Sequence, residues 1–228
     1  MDLAPVLMSL KTATLAVVVT FFLGIFAARS VVAIKSHRVK MILDGILTLP
    51  MVLPPTVAGF FLLLLFGAKR PLGVFLLQRF GVRIVFSWTA TVIAAVVVSF
   101  PLMYRSARGA FEQVDQNLIH AARTLGLSER RIFWTIVLPL AMPGVASGAV
   151  LAFARGLGEF GATAMIAGNI AGVSRTLPLA IYSGVAAGNM EEAYAYVRII
   201  VLISVVSVAL MNYLALRDKG GSRRRISG

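Results

Sequence analysis

Long uncharged apolar runs alternate with short charged segments along this chain. A helix needs roughly 20 apolar residues to cross about 30 Å of hydrocarbon, and five runs approach or exceed that length. We therefore expect an all-α integral membrane fold with about five spanning helices. The predicted spans are Thr12–Ala28, Gly45–Ala68, Ile84–Tyr104, Ile132–Ala154 and Ile199–Leu216.

Two shorter uncharged stretches, Phe160–Ser174 and Thr176–Met190, follow the fourth run. Both are rich in Gly and Ala, and polar or helix-breaking residues interrupt the region at Asn169, Arg175 and Pro178. Each stretch is too short to span a bilayer. We expect a helix end, a re-entrant piece or a packed loop here.

The positions of Lys and Arg predict the orientation of the spans, because basic residues concentrate in cytoplasmic loops. Of the 22 basic residues, 14 fall on the side that holds the loop 105–131 and six on the other side. This places the amino terminus outside and the carboxyl terminus inside. A sixth span would move the Arg-rich tail to the outside, so the charge distribution favours five spans. The positive cluster of the first run follows its apolar stretch, which favours a retained span over a secretory signal.

Composition supports a membrane environment. The 228 residues are 59% hydrophobic and 14% charged, with a mean hydropathy of +0.89, whereas soluble domains carry about 25% charged residues. The net charge of +13 is typical of nucleic-acid binders, but so few charges cannot cover a soluble surface, so we expect lipid contact and no nucleic-acid partner. With no cysteine and only His37 and His120, the chain is predicted to hold no catalytic residues, metal or cofactor.

The most informative polar segment is the loop at about residues 109–135. Apolar residues recur there at helical spacing and predict one helix face, formed by Val114, Leu118, Ala121, Ala122 and Leu125. Gly126 predicts a left-handed helix stop, and Ser128 with Glu129 predicts the start of another helix. Periodicity alone also fits an amphipathic helix lying on the inner leaflet.

The sequence of this loop resembles the "EAA" loop of the membrane subunits of ABC importers. The seven fixed positions of that motif correspond here to His120, Ala121, Ala122, Gly126, Ile136, Leu138 and Pro139. Six of them match the motif, and His120 does not. The resemblance implies that this loop docks in a groove of a cytosolic ATPase and receives its movement. The departure is His120, where the family usually has Glu, so a contact made by that acid does not carry over.

No phosphate-binding Gly-x-x-x-x-Gly-Lys-Ser/Thr loop occurs in the chain. If ATP drives this protein, ATP and Mg²⁺ are bound by a separate ATPase subunit. Residues 156–161 do match the dinucleotide pattern G-x-G-x-x-G, but they follow a predicted membrane span rather than a strand, and residues 176–181 contain no acid. We therefore predict no nucleotide site there.

Small residues recur every fourth position along the predicted fourth span, at Gly144, Gly148, Ala152 and Gly156. Such a stripe lets helix backbones approach closely, and it fits packing within one subunit, a homodimer seam or a sliding gate. Arg155 and Glu159 are also four residues apart and are predicted to pair. They fit either a structural pair or a role lining a transport pathway.

Pro54 and Pro55 are predicted to bend or break the second span, because each lacks an amide hydrogen. Such a break fits either a packing bend or part of a translocation path, and we favour the path. The segment Leu49–Gly59 is similar to molybdate and sulfate permeases, as are the stretches 154–163, 167–169 and 175–182. Among these permeases, the similarity is greatest to those for molybdate.

The resemblance implies the type I ABC importer permease fold and a permease that imports molybdate across the cytoplasmic (inner) membrane by alternating access. It further implies a homodimer, two ATPase subunits and an extracytoplasmic oxyanion-binding protein, with the third to fifth spans lining the route. The predicted outer loop is basic and carries Lys69, Arg70, Arg79 and Arg83. This charge fits an anionic cargo or an acidic partner, and it also fits the commoner case of solvated or lipid-facing charge. The alternatives are a sulfate or tungstate permease and, in another class, an ATPase-independent channel or scaffold.

We expect one transmembrane domain over residues 1–216, followed by a basic cytosolic tail at 217–228. The tail is rich in Gly, Ser and Arg and is predicted to be disordered and to contact anionic lipid.

Overall fold

The computed structural model describes the backbone of residues 2–224 and the side chains of residues 2–213. All regular structure in this part of the chain is helical. The α-helices are α1 (Ala4–Val32), α2 (His37–Val52), α3 (Pro55–Phe66), α4 (Pro71–Phe80), α5 (Trp88–Glu112), α6 (Gln116–Thr124), α7 (Glu129–Ile132), α8 (Leu138–Leu157), α9 (Gly161–Ala167), α10 (Leu177–Ala186) and α11 (Met190–Arg224). A π-helical turn, Phe133–Val137, joins α7 to α8.

The described helices account for all five predicted spans. Four continuous segments are long and apolar enough to cross a membrane: α1, α5, Glu129–Leu157 and Met190–Tyr213. The second predicted span is a broken pair in which α2 and α3 meet at 107°. Leu53 and Pro54 are extended between them, so the predicted break at Pro54 and Pro55 is confirmed.

Side-chain contacts show which helix ends lie together. Lys11 Nζ lies 3.9 Å from the ring centroid of Trp88, and the Tyr196 hydroxyl donates to the Asp2 carbonyl at 2.8 Å. The starts of α1, α5 and α11 therefore share one end of the bundle. At the other end, the Arg29 guanidinium lies 4.2 Å from the ring centroid of Phe133. We call this second end, which carries α6 and α7, the elbow end.

Helix α5 is the centre of the bundle. Of the residues in its most apolar 18-residue stretch, 61% are buried, compared with 11% in the corresponding stretch of α11. Helix α5 packs between α1 and α8. Met103, Tyr104 and Ala107 of α5 are fully buried in the main apolar cluster. The outer helices instead expose large apolar side chains such as Phe22 and Phe26, as expected of a surface that faces lipid or another subunit.

Each of the two short uncharged stretches contains a short packed helix, α9 in the first and α10 in the second. Both are too short to span a membrane, as expected. Helix α9 packs against α3 so closely that an added Cβ at Gly59 would lie 2.7 Å from the Ala162 Cα. Helix α10 packs against α11, and its Leu177 amide donates to the Ser9 hydroxyl of α1 at 2.7 Å.

Helix α4 was not among the sequence predictions. It lies between Arg70 and Gly81, in the basic loop that is predicted to be outside, and Pro71 begins it with a preset backbone angle. The predicted disordered tail, 217–228, stays a prediction: the backbone of α11 is described to Arg224, and residues 225–228 lie outside the described residues.

Candidate functional site

The predicted loop forms a helical elbow, which we define as α6, the turn 125–128 and α7. The Asp115 carboxylate caps α6 by accepting the Asn117 amide at 2.9 Å. The chain then reverses at Gly126, whose φ of +79° is a left-handed conformation that glycine adopts at no steric cost. The Leu127 amide donates back to the Ala122 carbonyl at 3.1 Å, which closes the helix end. The predicted helix, sharp glycine turn and second helix are confirmed.

Side chains also brace the two arms of the elbow. The Ser128 hydroxyl caps α7 by accepting the Arg131 amide at 3.4 Å, as the sequence predicted. Arg123 at the end of α6 donates two hydrogen bonds to Glu129 at the start of α7, from Nε to Oε1 at 2.5 Å and from Nη2 to Oε2 at 3.1 Å. This hydrogen bonding raises the pKa of the exposed Arg123 guanidinium above its ordinary value. The pair therefore links the two arms of the elbow across the turn.

The predicted apolar face of α6 is confirmed in part: Leu118, Ala121, Ala122 and Leu125 keep helical spacing on α6 and its C-cap, whereas Val114 precedes the Asp115 cap. Ile119 and Ala122 are buried against the core, whereas Leu118 and Leu125 are 46% and 81% exposed and Ala121 is also exposed. Val114 is separated from this face because the Asp115 cap starts the helix after it. The elbow therefore presents an exposed apolar patch, which consists of Leu118, Ala121 and Leu125.

The rest of the motif lies where the elbow enters the membrane bundle. Ile136 and Leu138 are half-buried against the main core, and Pro139 is exposed. Pro139 has no amide hydrogen, so the regular α-helical hydrogen-bond pattern is interrupted here. The Leu138 amide donates to the carbonyl of Phe133, five residues earlier. The His120 side chain is exposed, and its carbonyl accepts the Thr124 hydroxyl at 3.1 Å.

A charged network that the sequence analysis missed joins α2 to α5 near the elbow. Tyr104 donates to Asp44 at 2.9 Å, and Arg108 forms an ion pair with the same carboxylate. Arg108 also contacts Glu112 at 3.1 Å, which accepts from Lys40 at 2.7 Å. The spacing of four between Lys40 and Asp44, and along α5 from Tyr104 to Glu112, would have placed these groups on single helix faces.

Arg155 and Glu159 form the predicted ion pair at the opposite end, with 2.7 Å between Nη1 and Oε2. Glu159 is 2% exposed, and its other oxygen accepts the Ala162 amide at 2.8 Å. One carboxylate therefore links the end of α8 to the first turn of α9. Pro55 lies beside this junction, because an added Cβ at Gly161 would be 3.0 Å from the Pro55 Cβ.

The small-residue stripe of α8 contacts α5 of the same chain. An added Cβ at Gly144 would lie 2.8 Å from the Ala110 Cβ, and one at Gly148 would collide with Ser106. At Gly156 the nearest atom, the Ala95 Cβ, is at an ordinary 3.7 Å. Within the described structure, Gly144 and Gly148 thus serve close packing inside one subunit.

A cleft of about 700 Å³ opens beside this contact at the elbow end. Its walls come from α5, α6 and α8, and they carry one charged residue of each sign, Arg105 and Asp115. Leu118 of the elbow patch also lines the cleft, so the elbow and the bundle interior adjoin directly.

Four continuous apolar helices long enough to cross a membrane, a proline-broken helix pair and a braced elbow together define a polytopic membrane transport subunit. Residues 20–218 match the family model described as "Binding-protein-dependent transport system inner membrane component". The chain belongs to this family and is a multi-pass inner-membrane protein.

Individual relatives extend over nearly the whole chain. The chain is 45% identical over 219 residues to the molybdenum transport system permease protein ModB of Escherichia coli (strain K12), covering 95% of each chain. It is 41% identical over 218 residues to ModB of Haemophilus influenzae, again covering 95% of each. A putative molybdenum transport system permease protein, YvgM of Bacillus subtilis (strain 168), is 44% identical over 200 residues and 88% of each chain.

Solved structures support the fold. One described as an inward-facing conformation of the MetNI methionine ABC transporter matches with a TM-score of 0.67 and 16% identity, over 92% of this chain and 94% of that chain. An amino acid ABC transporter crystallised with histidines matches with a TM-score of 0.59 and 20% identity, over 93% and 90%. The fold is therefore that of ABC importer permeases.

Proposed function

We propose that this chain is the permease subunit of an ATP-driven importer that moves molybdate across the cytoplasmic membrane. The observation that carries the proposal is 45% identity to a molybdenum permease over 95% of both chains. This similarity covers the spans as well as the elbow, so it is more specific than the loop motif alone.

The elbow is proposed to receive the mechanical input. Its exposed patch, Leu118, Ala121 and Leu125, offers an apolar surface without a partner in the described chain. The partner is an ATPase subunit that binds ATP and Mg²⁺, since this chain has no phosphate-binding loop. Because Arg123 and Glu129 brace the elbow, a push on α6 is transmitted to α7 and α8 as one unit.

His120 is proposed to lie at the edge of that interface. Its side chain is exposed and stands where related permeases carry Glu, so any contact there is not made by a carboxylate. The remaining motif residues, Ile136, Leu138 and Pro139, connect the elbow to the bundle.

The assembly is proposed to contain two copies of this permease, two ATPases and an extracytoplasmic oxyanion-binding protein. Positive charge on the elbow end supports an orientation with that end in the cytoplasm. The carboxyl terminus then lies inside and the amino terminus outside.

The translocation route is proposed to run along the third, fourth and fifth spans. The cleft between α5 and α8 supports this route because Arg105 on its wall offers a cation to a divalent oxyanion, and Asp115 at the start of α6 lines the same cleft. In alternating access, movement of the elbow would open and close this cleft.

The cargo is tested by the ATPase activity of the reconstituted permease and ATPase, given binding protein loaded with molybdate, tungstate or sulfate. We expect stimulation by the molybdate-loaded protein. Stimulation by sulfate-loaded protein alone would exclude the molybdate assignment and leave the transporter class intact.

The docking role is tested by Leu125→Ser, with Leu3→Ser as the matched control. Leu3 is 60% exposed at the other end of the bundle. We expect Leu125→Ser to weaken co-purification of the ATPase by several-fold and Leu3→Ser to leave it unchanged. A channel or scaffold would retain no ATPase in either variant or in the unmodified protein.

A further inference from the structure

A second cleft, of about 820 Å³, lies at the elbow end between the end of α1, the start of α2 and the elbow itself. Its apolar walls include Val32 and Ile34 on one side and Ile132 and Val137 on the other. Four basic side chains also line it: Arg29, Lys35, Lys40 and Arg123. The cleft therefore combines apolar walls with a rim of basic side chains.

Two of these four cations are not neutralised. Both carboxylates of the cleft are already engaged, Glu112 by Lys40 and Arg108, and Glu129 by Arg123. In the part of the chain that the structure describes, neither Arg29 nor Lys35 forms an ion pair. Arg29 is held in place by stacking over Phe133, which leaves its N–H groups available as donors.

The exposed apolar surface of α1 runs directly to this rim. Phe22 and Phe26 are 67% and 71% exposed, and with Arg29 and Ala33 they follow the four-three-four spacing of one helix face. Acyl chains can pack along the two phenylalanines while a charged headgroup meets Arg29 at the end of the apolar surface. A soluble anion would use the rim alone and would have no use for this face.

We propose that this cleft binds an anionic phospholipid, with the headgroup phosphate held by Arg29 and Lys35. A guanidinium makes paired hydrogen bonds to phosphate oxygens, and basic pockets at the ends of spanning helices attract anionic headgroups. The bound lipid bridges α1 to the elbow through Phe133 and Ile132 and so steadies the elbow against the bundle. Only the choice of the cytoplasmic leaflet rests on the orientation given under Proposed function.

The test measures lipid binding to the full chain purified in detergent and stripped of lipid. Phosphatidylglycerol, phosphatidylcholine or inorganic phosphate is titrated in, and bound molecules are counted by native mass spectrometry. Wild type is expected to retain phosphatidylglycerol in preference to phosphatidylcholine. The double variant Arg29→Gln/Lys35→Gln is expected to bind it at least about tenfold more weakly, because each basic residue near anionic lipid contributes about fivefold.

Arg38→Gln is the matched control. Arg38 is exposed on the same end, at the second position of α2, and it does not line the cleft. This variant is expected to stay within about threefold of wild type. The charge-conserving double variant Arg29→Lys/Lys35→Arg is expected to keep most of the binding. If the neutral double variant does not fold, Lys35→Gln alone, in an exposed loop, is expected to lose about fivefold.

Several results would overturn the inference. These are equal losses in the Arg38 and cleft variants, equal retention of both lipids, binding of inorganic phosphate in place of lipid, and expulsion of the lipid by one equivalent of ATPase. The last two identify a free-anion site and a protein-docking site. Since lipid binding is measured without transport, a chain that binds phosphatidylglycerol but imports another cargo keeps this inference and loses the proposed function.

Discussion

Asp44 on α2 and Arg108 on α5 form an ion pair that ties the broken second span to the central third span. The side chains are 27% and 21% exposed, so water screens the pair only in part. Tyr104 donates to the same carboxylate, and Arg108 is held from its other side by Glu112. No side chain of α2 is fully buried, so these polar contacts add to the packing of its half-buried Leu43 and Leu47 against the main core.

Asp44→Asn is therefore expected to loosen α2. The amide keeps the hydrogen bond from Tyr104 but loses the charge opposite Arg108, which costs roughly 1–2 kcal/mol of stability. A double-mutant cycle with Arg108→Gln measures the pair itself, and we expect a coupling of about 1 kcal/mol. Glu191→Gln, a change of the same kind at an exposed position without contacts in the described structure, is the control. Additive effects of Asp44→Asn and Arg108→Gln on the melting temperature would contradict the cycle.

The stripe on α8 gives a contrast between two glycines. Gly148→Ala is expected to destabilise the protein by roughly 1–3 kcal/mol, because the new methyl group collides with Ser106 in a packed contact. In Gly156→Ala the new methyl group makes only an ordinary contact at 3.7 Å. This variant should gain about 0.5–1 kcal/mol in the free energy of unfolding, because alanine loses less backbone entropy than glycine when the helix forms. Thermal unfolding of both variants in detergent checks the order. A homodimer seam without intrachain packing would instead leave the unfolding temperature of the Gly148→Ala monomer at the wild-type value and alter only the dimer.

Much of the spans and the elbow could be predicted from the sequence because they depend on local signals. The length of the apolar runs predicted the spans, and Pro54 predicted the break in the second span. Gly126 predicted the turn of the elbow, and Ser128 predicted the cap of α7. The buried face of α6 could not be predicted in this way, because it depends on which residue starts the helix and on how Phe133 packs against it. The link between Asp44 and Arg108 spans 64 positions, and nothing local to either residue indicates the partner.

The buried Glu159 has two partners that substitutions can separate. Glu159→Gln keeps an oxygen for the Ala162 amide but leaves Arg155 without its ion pair, whereas Glu159→Ala removes both contacts. An unpaired basic residue in a membrane helix costs up to roughly 2.5–3.5 kcal/mol. We expect folded yield to fall from wild type through Glu159→Gln to Glu159→Ala, with Arg155→Gln/Glu159→Gln recovering part of the loss. Equal yields for the two single variants would mean that the bond to α9 contributes nothing.

Gly126 provides the sharpest test of the elbow because only its backbone angle constrains it. No atom lies within 4 Å of an added Cβ, yet φ is +79°, so Gly126→Val is strained by backbone conformation alone, at roughly 1–2 kcal/mol or more. Gly126→Asn should be tolerated, since Asn adopts this region readily, and Gly45→Ala, in open space within α2, is the helical control. We expect Gly126→Val to abolish or uncouple uptake in proteoliposomes while the spans stay folded. Normal ATP-dependent uptake by Gly126→Val would show that the angle between α6 and α7 does not carry the movement.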